Sequence, residues 1–381
     1  MDENTRYLKV WKLLNMVAHR YFEIRFNFSH EKYTLDAPSL IVSNHVTNWD
    51  PLLLAICFPE NNLHFVASEH LFRMGWVSKI IDWLVAPIPR RKGSNGTDTA
   101  MASIRKIRSG SSVALFAEGE TTWSGCNRSI FPATGVLAKA CRSNLVTYRF
   151  EGAFLTAPRW GKGVRKGKMR GHIVNVYTPE QLKSLTPEEI TEIINRDVYE
   201  DAWARQKENL TPFKSSRMAE GADIPLFLCP KCNRIGGLST KGNRIRCTCG
   251  METRMNIYGF FDPAQPFETM KQWDDWQLDK LKALDFVHDD ALFSDNGMTL
   301  KEITSDHGEQ KLGSGTLTLY KDALVCGNTR FPLDEIKEMS PVQSRILVFT
   351  HNQRYYEIRA KKPLCMRKYH HVWENRTSDS K

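Results

Sequence analysis

Apolar and polar positions along this chain fall into blocks of two different periods. Near the start, Leu8, Trp11, Leu14, Val17, Ala18 and Phe22 recur at helical spacing among Arg6, Lys9, Lys12 and Arg20, which predicts an amphipathic helix with a broad apolar face. A second block of that kind runs from Leu71 to Val85 through Trp76, Ile80 and Trp83. Between the two, the run Ser39 to Val42 after Pro38 reads as a strand, and Asp50-Pro51 opens a helix over Leu52 to Ile56, with aspartate as cap and proline at the first helical position. Val113 to Phe116 reads as another strand. Toward the other end the period shortens. Pro266 to Val287 is helical in pattern, whereas Thr316 to Tyr320, Ala323 to Cys326, Arg345 to Thr350 and Tyr355 to Arg359 are short strands separated by turns, and Pro363 to Asn375 is a closing helix. The expected class is α/β: an N-terminal domain with a mixed sheet flanked by helices, then a small cysteine-bearing ribbon and a strand-rich C-terminal module. Boundaries are expected at residues 1–213, a polar linker at 214–225, the ribbon at 226–262 and the module at 263–381.

The junction between the first strand and its helix carries chemistry. His45 and Asp50, with four residues between them, place an imidazole and a carboxylate within reach of each other above a packed element. A neutral imidazole there takes a proton from a hydroxyl while the carboxylate holds its other nitrogen. The plainer alternative is that Asp50 only caps the helix and His45 is an ordinary loop residue. Downstream, Pro87-Ile88-Pro89-Arg90-Arg91-Lys92 is a basic cluster, and the strand Val113 to Phe116 runs into Ala117-Glu118-Gly119-Glu120-Thr121-Thr122.

In the order of these blocks the chain resembles the glycerolipid acyltransferase family, whose founding activity is acylation of lysophosphatidate. Asn44, His45 and Asp50 match the family's Asn-His-x-x-x-x-Asp block. The resemblance covers roughly the first 210 residues, a single-domain length. It implies His45 as general base, Asp50 as its partner, Asn44 as part of the same block, Arg90 as a holder of the acceptor phosphate, and Glu118 with Gly119 at the acceptor's glycerol-phosphate end. It also implies a lysophospholipid acceptor and a thioester donor, either acyl-CoA or an acyl carrier protein. Glu120-Thr121 stands where the family has Thr-Arg, so a cation is missing from the acceptor block and a carboxylate is added. The fourth block, Asn144 to Tyr148, lacks its proline. No Gly-x-Ser-x-Gly elbow appears in the region, so direct transfer without an enzyme nucleophile is the simpler chemistry.

Charge changes the picture of the partners. The 381 residues carry a formal net charge of +10 and a pI near 9.1, which favours an acidic partner. Arg159, Lys162, Arg165, Lys166, Lys168 and Arg170 follow one another with three glycines and no acid. That reads as a flexible basic loop, either merely solvated or, with Trp160, seated on an anionic membrane. No segment has the apolar length of a membrane span and no cleavable signal is expected, so the chain reads as cytoplasmic and peripheral on the inner face of the cell membrane. Its N-terminal helix either packs on its own domain or lies in the interface.

Of nine cysteines, Cys229 and Cys232 pair closely with Cys247 and Cys249 across a hairpin with turn glycines. Four thiolates at that spacing make a closed, structural Zn2+ site. A disulfide framework is the alternative, disfavoured by the unpatterned Cys57, Cys126, Cys141, Cys326 and Cys365. Two other function classes stay open: a regulatory protein built around the ribbon, with nucleic acid unlikely because no aromatics interleave its bases, and a hydrolase using the same dyad with water.

Overall fold

The computed structural model describes residues 3–61, 63–73, 76, 79, 86–90, 96–283, 291–304 and 308–378. Two compact units emerge: residues 1–90, 96–218 and 257–259 form the first, and 91–95, 219–256 and 260–381 the second.

The first unit is built on a seven-stranded sheet of β1 (Phe28–His30), β2 (Ser39–Ser43), β3 (Leu63–Ser68), β4 (Ile88–Arg90), β5 (Ser112–Phe116), β6 (Asn144–Glu151) and β7 (Met169–Tyr177), in the order β1-β7-β6-β2-β5-β3-β4. β2, β3, β4, β5 and β6 are parallel, and β7 enters antiparallel to β6. β2 is buried along its whole length because sheet neighbours and helices cover it on every side, which explains its unbroken apolar run. Helices α1 (Glu3–Phe26), α2 (Asp50–Ala55), α3 (Thr97–Arg108), α4 (Ala133–Cys141), α5 (Ala153–Thr156), α6 (Pro179–Ser184), α7 (Pro187–Val198) and α8 (Ala202–Glu208) flank it. α6 and α7 each begin with a reciprocal capping box, Thr178 with Gln181 and Thr186 with Glu189. Residues of β2, β5, α4 and α7 share one apolar cluster.

Parallel strands bring their carboxyl ends to one edge, where loops that bind ligands collect. β2 ends at Ser43 and β4 at Arg90, so His45 and Arg90 share that edge. Three strand spacings separate them, about 14 Å at the backbone.

The basic loop after α5 differs from expectation. Trp160 is buried and donates from Nε1 to the Trp123 carbonyl at 3.1 Å. Arg165 is buried too, donating to the carbonyls of Leu155 at 3.2 Å and Met218 at 2.6 Å, and burial pulls its guanidinium down to about 9. These side chains hold the unit's interior, so Trp160 is no interfacial anchor. The stretch 214–225 is likewise packed at Met218, Ala219 and Ala222. Leu13, Met16, Val17, Tyr21 and Ile24 of α1 are exposed while Phe22 and Phe26 are buried, giving that helix an inner and an outer apolar face. The side chains of Leu8, Trp11 and Leu14, most of the segment between Leu71 and Val85, and Arg91 and Lys92 lie outside the described residues.

In the second unit the ribbon strands β8 (Leu238–Lys241), β9 (Arg244–Cys247), β10 (Glu252–Met255) and β11 (Phe261–Asp262) form an antiparallel sheet. Helix α9 (Met270–Lys282) follows. Then β12 (Phe293–Ile303), β13 (Glu309–Leu319), β14 (Ala323–Cys326) and β15 (Thr329–Pro332) form one meander, and β16 (Ile336–Val342), β17 (Ile346–His351) and β18 (Arg354–Ala360) a second. The two join where β12 pairs with β18, and α10 (Arg367–Ser378) follows. α9 ties the ribbon in: Trp273 donates to the Leu228 carbonyl at 2.9 Å, and the buried Gln277 accepts from Phe227 N–H and donates to the Pro225 carbonyl. Asp274 makes a buried two-pronged pair with Arg367 of α10, both bonds 3.0 Å.

Candidate active site and thiolate cluster

Asp50 is fully buried and organises the turn that precedes it. Its carboxylate accepts from the Val46 N–H at 2.6 Å, the Thr47 N–H at 2.9 Å and the Thr47 hydroxyl at 2.6 Å, and meets His45 Nδ1 at 2.8 Å. With every other partner a donor, the carboxylate calls for the proton on Nδ1 and leaves Nε2 of a neutral His45 as the basic nitrogen. That nitrogen faces Thr121 Oγ1 at 3.5 Å. The ring lies stacked on Phe116 with centroids 4.5 Å apart and stays 22% exposed, enough for a substrate to reach it. Asp50 is the first residue of α2 rather than its cap, a place Trp49 takes, because its carboxylate is turned back to the donors of residues 45–47.

Asn44 sits one residue earlier, fully buried, with its amide paired to the backbone of Phe150: Nδ2 donates to the carbonyl at 2.9 Å and Oδ1 accepts the N–H at 2.8 Å. It extends the β2–β6 ladder beyond Ser43 by one side chain and so fixes where His45 leaves the sheet.

Glu118 works from the opposite side. Oε1 accepts the backbone N–H of His45 at 2.8 Å and the Asn127 amide, and Oε2 accepts the Arg128 N–H at 3.1 Å. Burial pushes this carboxyl up to about 8 against those bonds, and the nearby Asp50 charge adds to the rise. The Thr122 N–H donates to the His45 carbonyl at 2.9 Å, so the 118–122 loop grips His45 by both backbone groups. Gly119 has φ +69, and a Cβ there would stand 2.4 Å from the Phe131 ring.

The carboxylate that departs from the family pattern is neutralised where it stands. Glu120 Oε1 accepts from Arg159 and from the Trp123 indole, both at 2.9 Å, while the Arg159 guanidinium lies 3.7 Å over the Trp123 ring. Arg159 also donates to the Thr121 carbonyl at 3.0 Å. The sequence pattern marked Glu120 and Arg159 separately and gave no sign that they meet. Arg90, partly exposed, passes its guanidinium over Gly96, whose left-handed turn starts α3.

The four cysteines converge. Cys229 and Cys249 Sγ are 3.7 Å apart, Cys232 and Cys247 3.8 Å, and all four lie within 4.8 Å of one another. A tetrahedron of sulfurs with Zn–S near 2.3 Å has edges of about 3.8 Å, whereas a disulfide needs about 2.05 Å. The backbone N–H groups of Lys231 and Cys232 point at Cys229 sulfur, and that of Cys249 at Cys247 sulfur, as thiolate ligands require. The cluster fits a structural metal, and Asn233 at φ +54 and Gly250 at φ +86 supply the tight turns beside each pair.

Residues 25–149 match the family model described as Acyltransferase. Among solved structures, the crystal structure of the 1-acyl-sn-glycerophosphate (LPA) acyltransferase PlsC from Thermotoga maritima is similar at 17% identity and a TM-score of 0.42, over 52% of this chain and 82% of that one. A likeness that slight carries neither substrate nor mechanism across. The segment that matches the family model holds β2, His45, Asp50, Arg90 and Glu118 together.

Proposed function

We propose that this protein transfers a fatty acyl group from an acyl thioester, coenzyme A or acyl carrier protein, to a hydroxyl of a lysophospholipid at an anionic membrane surface, with lysophosphatidate the favoured acceptor. The observation that carries the reading is the His45–Asp50 pair at 2.8 Å, with Nε2 3.5 Å from Thr121 Oγ1 on a side chain that is 22% exposed. An acceptor hydroxyl takes the place that Thr121 Oγ1 borders. His45 Nε2 removes its proton as the oxygen adds to the thioester carbonyl, and Asp50 steadies the imidazolium that forms. Collapse of the tetrahedral adduct breaks the C–S bond, and His45 returns the proton to the departing thiolate. Arg90 lies beside the turn into α3, where helix N–H groups favour phosphate, which supports it as the acceptor's anion contact.

Membrane seating is supported by exposed apolar side chains close to the dyad. Trp49 and Leu52 flank Asp50 and are 42% and 46% exposed, and Trp49 stands 5.8 Å and 6.0 Å from the Phe22 and Phe26 rings. The outer face of α1 adds Leu13, Val17, Tyr21 and Ile24. Among the described residues no helix is long and apolar enough to cross a membrane.

The test is acyl transfer by purified protein to a panel of lysolipids, with and without anionic vesicles, for wild type and His45→Ala. Loss of the base lowers turnover by about a thousandfold with the fold retained. Near-normal transfer by a folded His45→Ala protein would sink the mechanism. Thioester hydrolysis without transfer to any lysolipid would make water the acceptor.

A further inference from the structure

Away from the dyad, α1 and β1 bring His19, Glu23 and His30 together, with one ligand atom from each inside 4.8 Å of the others. Glu23 Oε1 lies 3.2 Å from His19 Nε2 and 3.3 Å from His30 Nε2, and the two rings meet edge to face with centroids 5.2 Å apart. The His30 side chain is only 1% exposed, held against Phe28 at 4.8 Å, and its Nε2 is buried without a hydrogen bond.

The tautomer decides what that means. His30 Nδ1 meets the Glu31 carbonyl at 3.1 Å, and a carbonyl only accepts, so the proton sits on Nδ1. Nε2 of a neutral His30 is then a buried lone pair facing a carboxylate oxygen, two acceptors brought together, with the Glu23 side chain itself 38% exposed. A metal cation between them, or a second proton on the ring, relieves that contact. A backbone carbonyl fixing one imidazole nitrogen so that the other can ligate is the arrangement around metal-bound histidines. The spacing agrees: nitrogen and oxygen ligands about 2.05 Å from a tetrahedral zinc lie about 3.3 Å from one another.

We propose that His19, Glu23 and His30 bind a divalent cation of borderline character, with zinc as the type. His19 and Glu23 are one turn apart on α1, on the side of Phe22 and Phe26 and opposite the exposed Val17, Tyr21 and Ile24. The ion fastens the C-terminal half of α1 to the edge strand β1 and fixes which face of the helix points outward. The site is separate from the thiolate cluster and does not depend on the acyltransferase reading.

The experiment uses the full chain and zinc or cobalt alone. Metal analysis of wild-type protein after equilibration is expected to give two equivalents, and cobalt substitution two classes of spectrum, one with thiolate charge-transfer bands and one without. His30→Gln and, as the more exposed and milder change, His19→Gln should each lose only the equivalent lacking thiolate bands. In wild type, added zinc should shield His19 and His30 from carbethoxylation mapped by mass spectrometry, a readout that needs no variant to fold. A single equivalent bound wholly through thiolates, no shielding of the two histidines, or a second equivalent unchanged in both variants would each overturn the site. The first of these would leave an imidazolium–carboxylate pair in its place.

Discussion

Glu118 is the residue whose role shifts most on going from chain to fold. By resemblance it belongs to the acceptor's binding block, but its oxygens are engaged by the His45, Asn127 and Arg128 donors, and its carboxyl is buried. What it does in the fold is hold the backbone of His45 in place. Burial raises it from 4.5 to about 8, so the folded chain keeps a proton that the unfolded chain has released in the interval between. The folded state binds more protons there, and stability from this group, complete below about 4.5, is lost as pH rises through 8. The midpoint of thermal unfolding should therefore fall between pH 5 and 8 more steeply in wild type than in Glu118→Gln. Equal slopes would show that the proton is not there. Arg90 enters through the resemblance, and its prediction is kinetic: Arg90→Ala should raise the KM for phosphate-bearing lysolipids more than it lowers kcat, if a phosphate contact exists in ground and transition states alike. An unchanged KM for all of them would remove Arg90 from the acceptor site.

Among the elements, β2 and its following turn were readable because a fully buried parallel strand is continuously apolar and Asp-Pro marks the helix start. The C-terminal strands β14, β17 and β18 stood out as short apolar or aromatic runs bounded by turns. β12 did not, because a register shift between Asp295 and Met298, with Gly297 at φ +81, breaks its period of two. The pairing of Asn44 with Phe150 was equally hidden: partners 106 residues apart leave no local signature. That pairing is worth testing as a structural joint. Asn44→Ala leaves both backbone groups of Phe150 buried and unpaired, at roughly 1–3 kcal/mol each. The variant should unfold at lower denaturant and lose acyl transfer through misplacement of His45, with KM and kcat both affected. An Asn44→Ala protein as stable as wild type would mean the joint is dispensable.

At the scale of the molecule, the four-cysteine cluster reaches further than its small hairpin suggests. A ribbon of four short strands has too little core to fold unless a metal ion ties its four thiolates together. Its neighbours within the second unit are fastened to it by Trp273 and Gln277, which bond to Leu228, Phe227 and Pro225, and α9 passes the constraint to α10 through Asp274 and Arg367. Breaking a buried pair such as the last costs about 3–5 kcal/mol. Loss of the metal should therefore loosen the second unit as a body, whereas the first has its own sheet and apolar cluster around the dyad. Cys229→Ser/Cys232→Ser protein, or wild type stripped by a chelator, is expected to show fast amide exchange through the ribbon, α9 and α10 while retaining measurable acyl transfer and slow exchange in β2, β5 and β6. Exchange confined to the ribbon would show that Trp273 and Gln277 do not couple it to the module. Complete loss of transfer in a protein whose first unit still exchanges slowly would show that the metal serves the reaction as well as the fold.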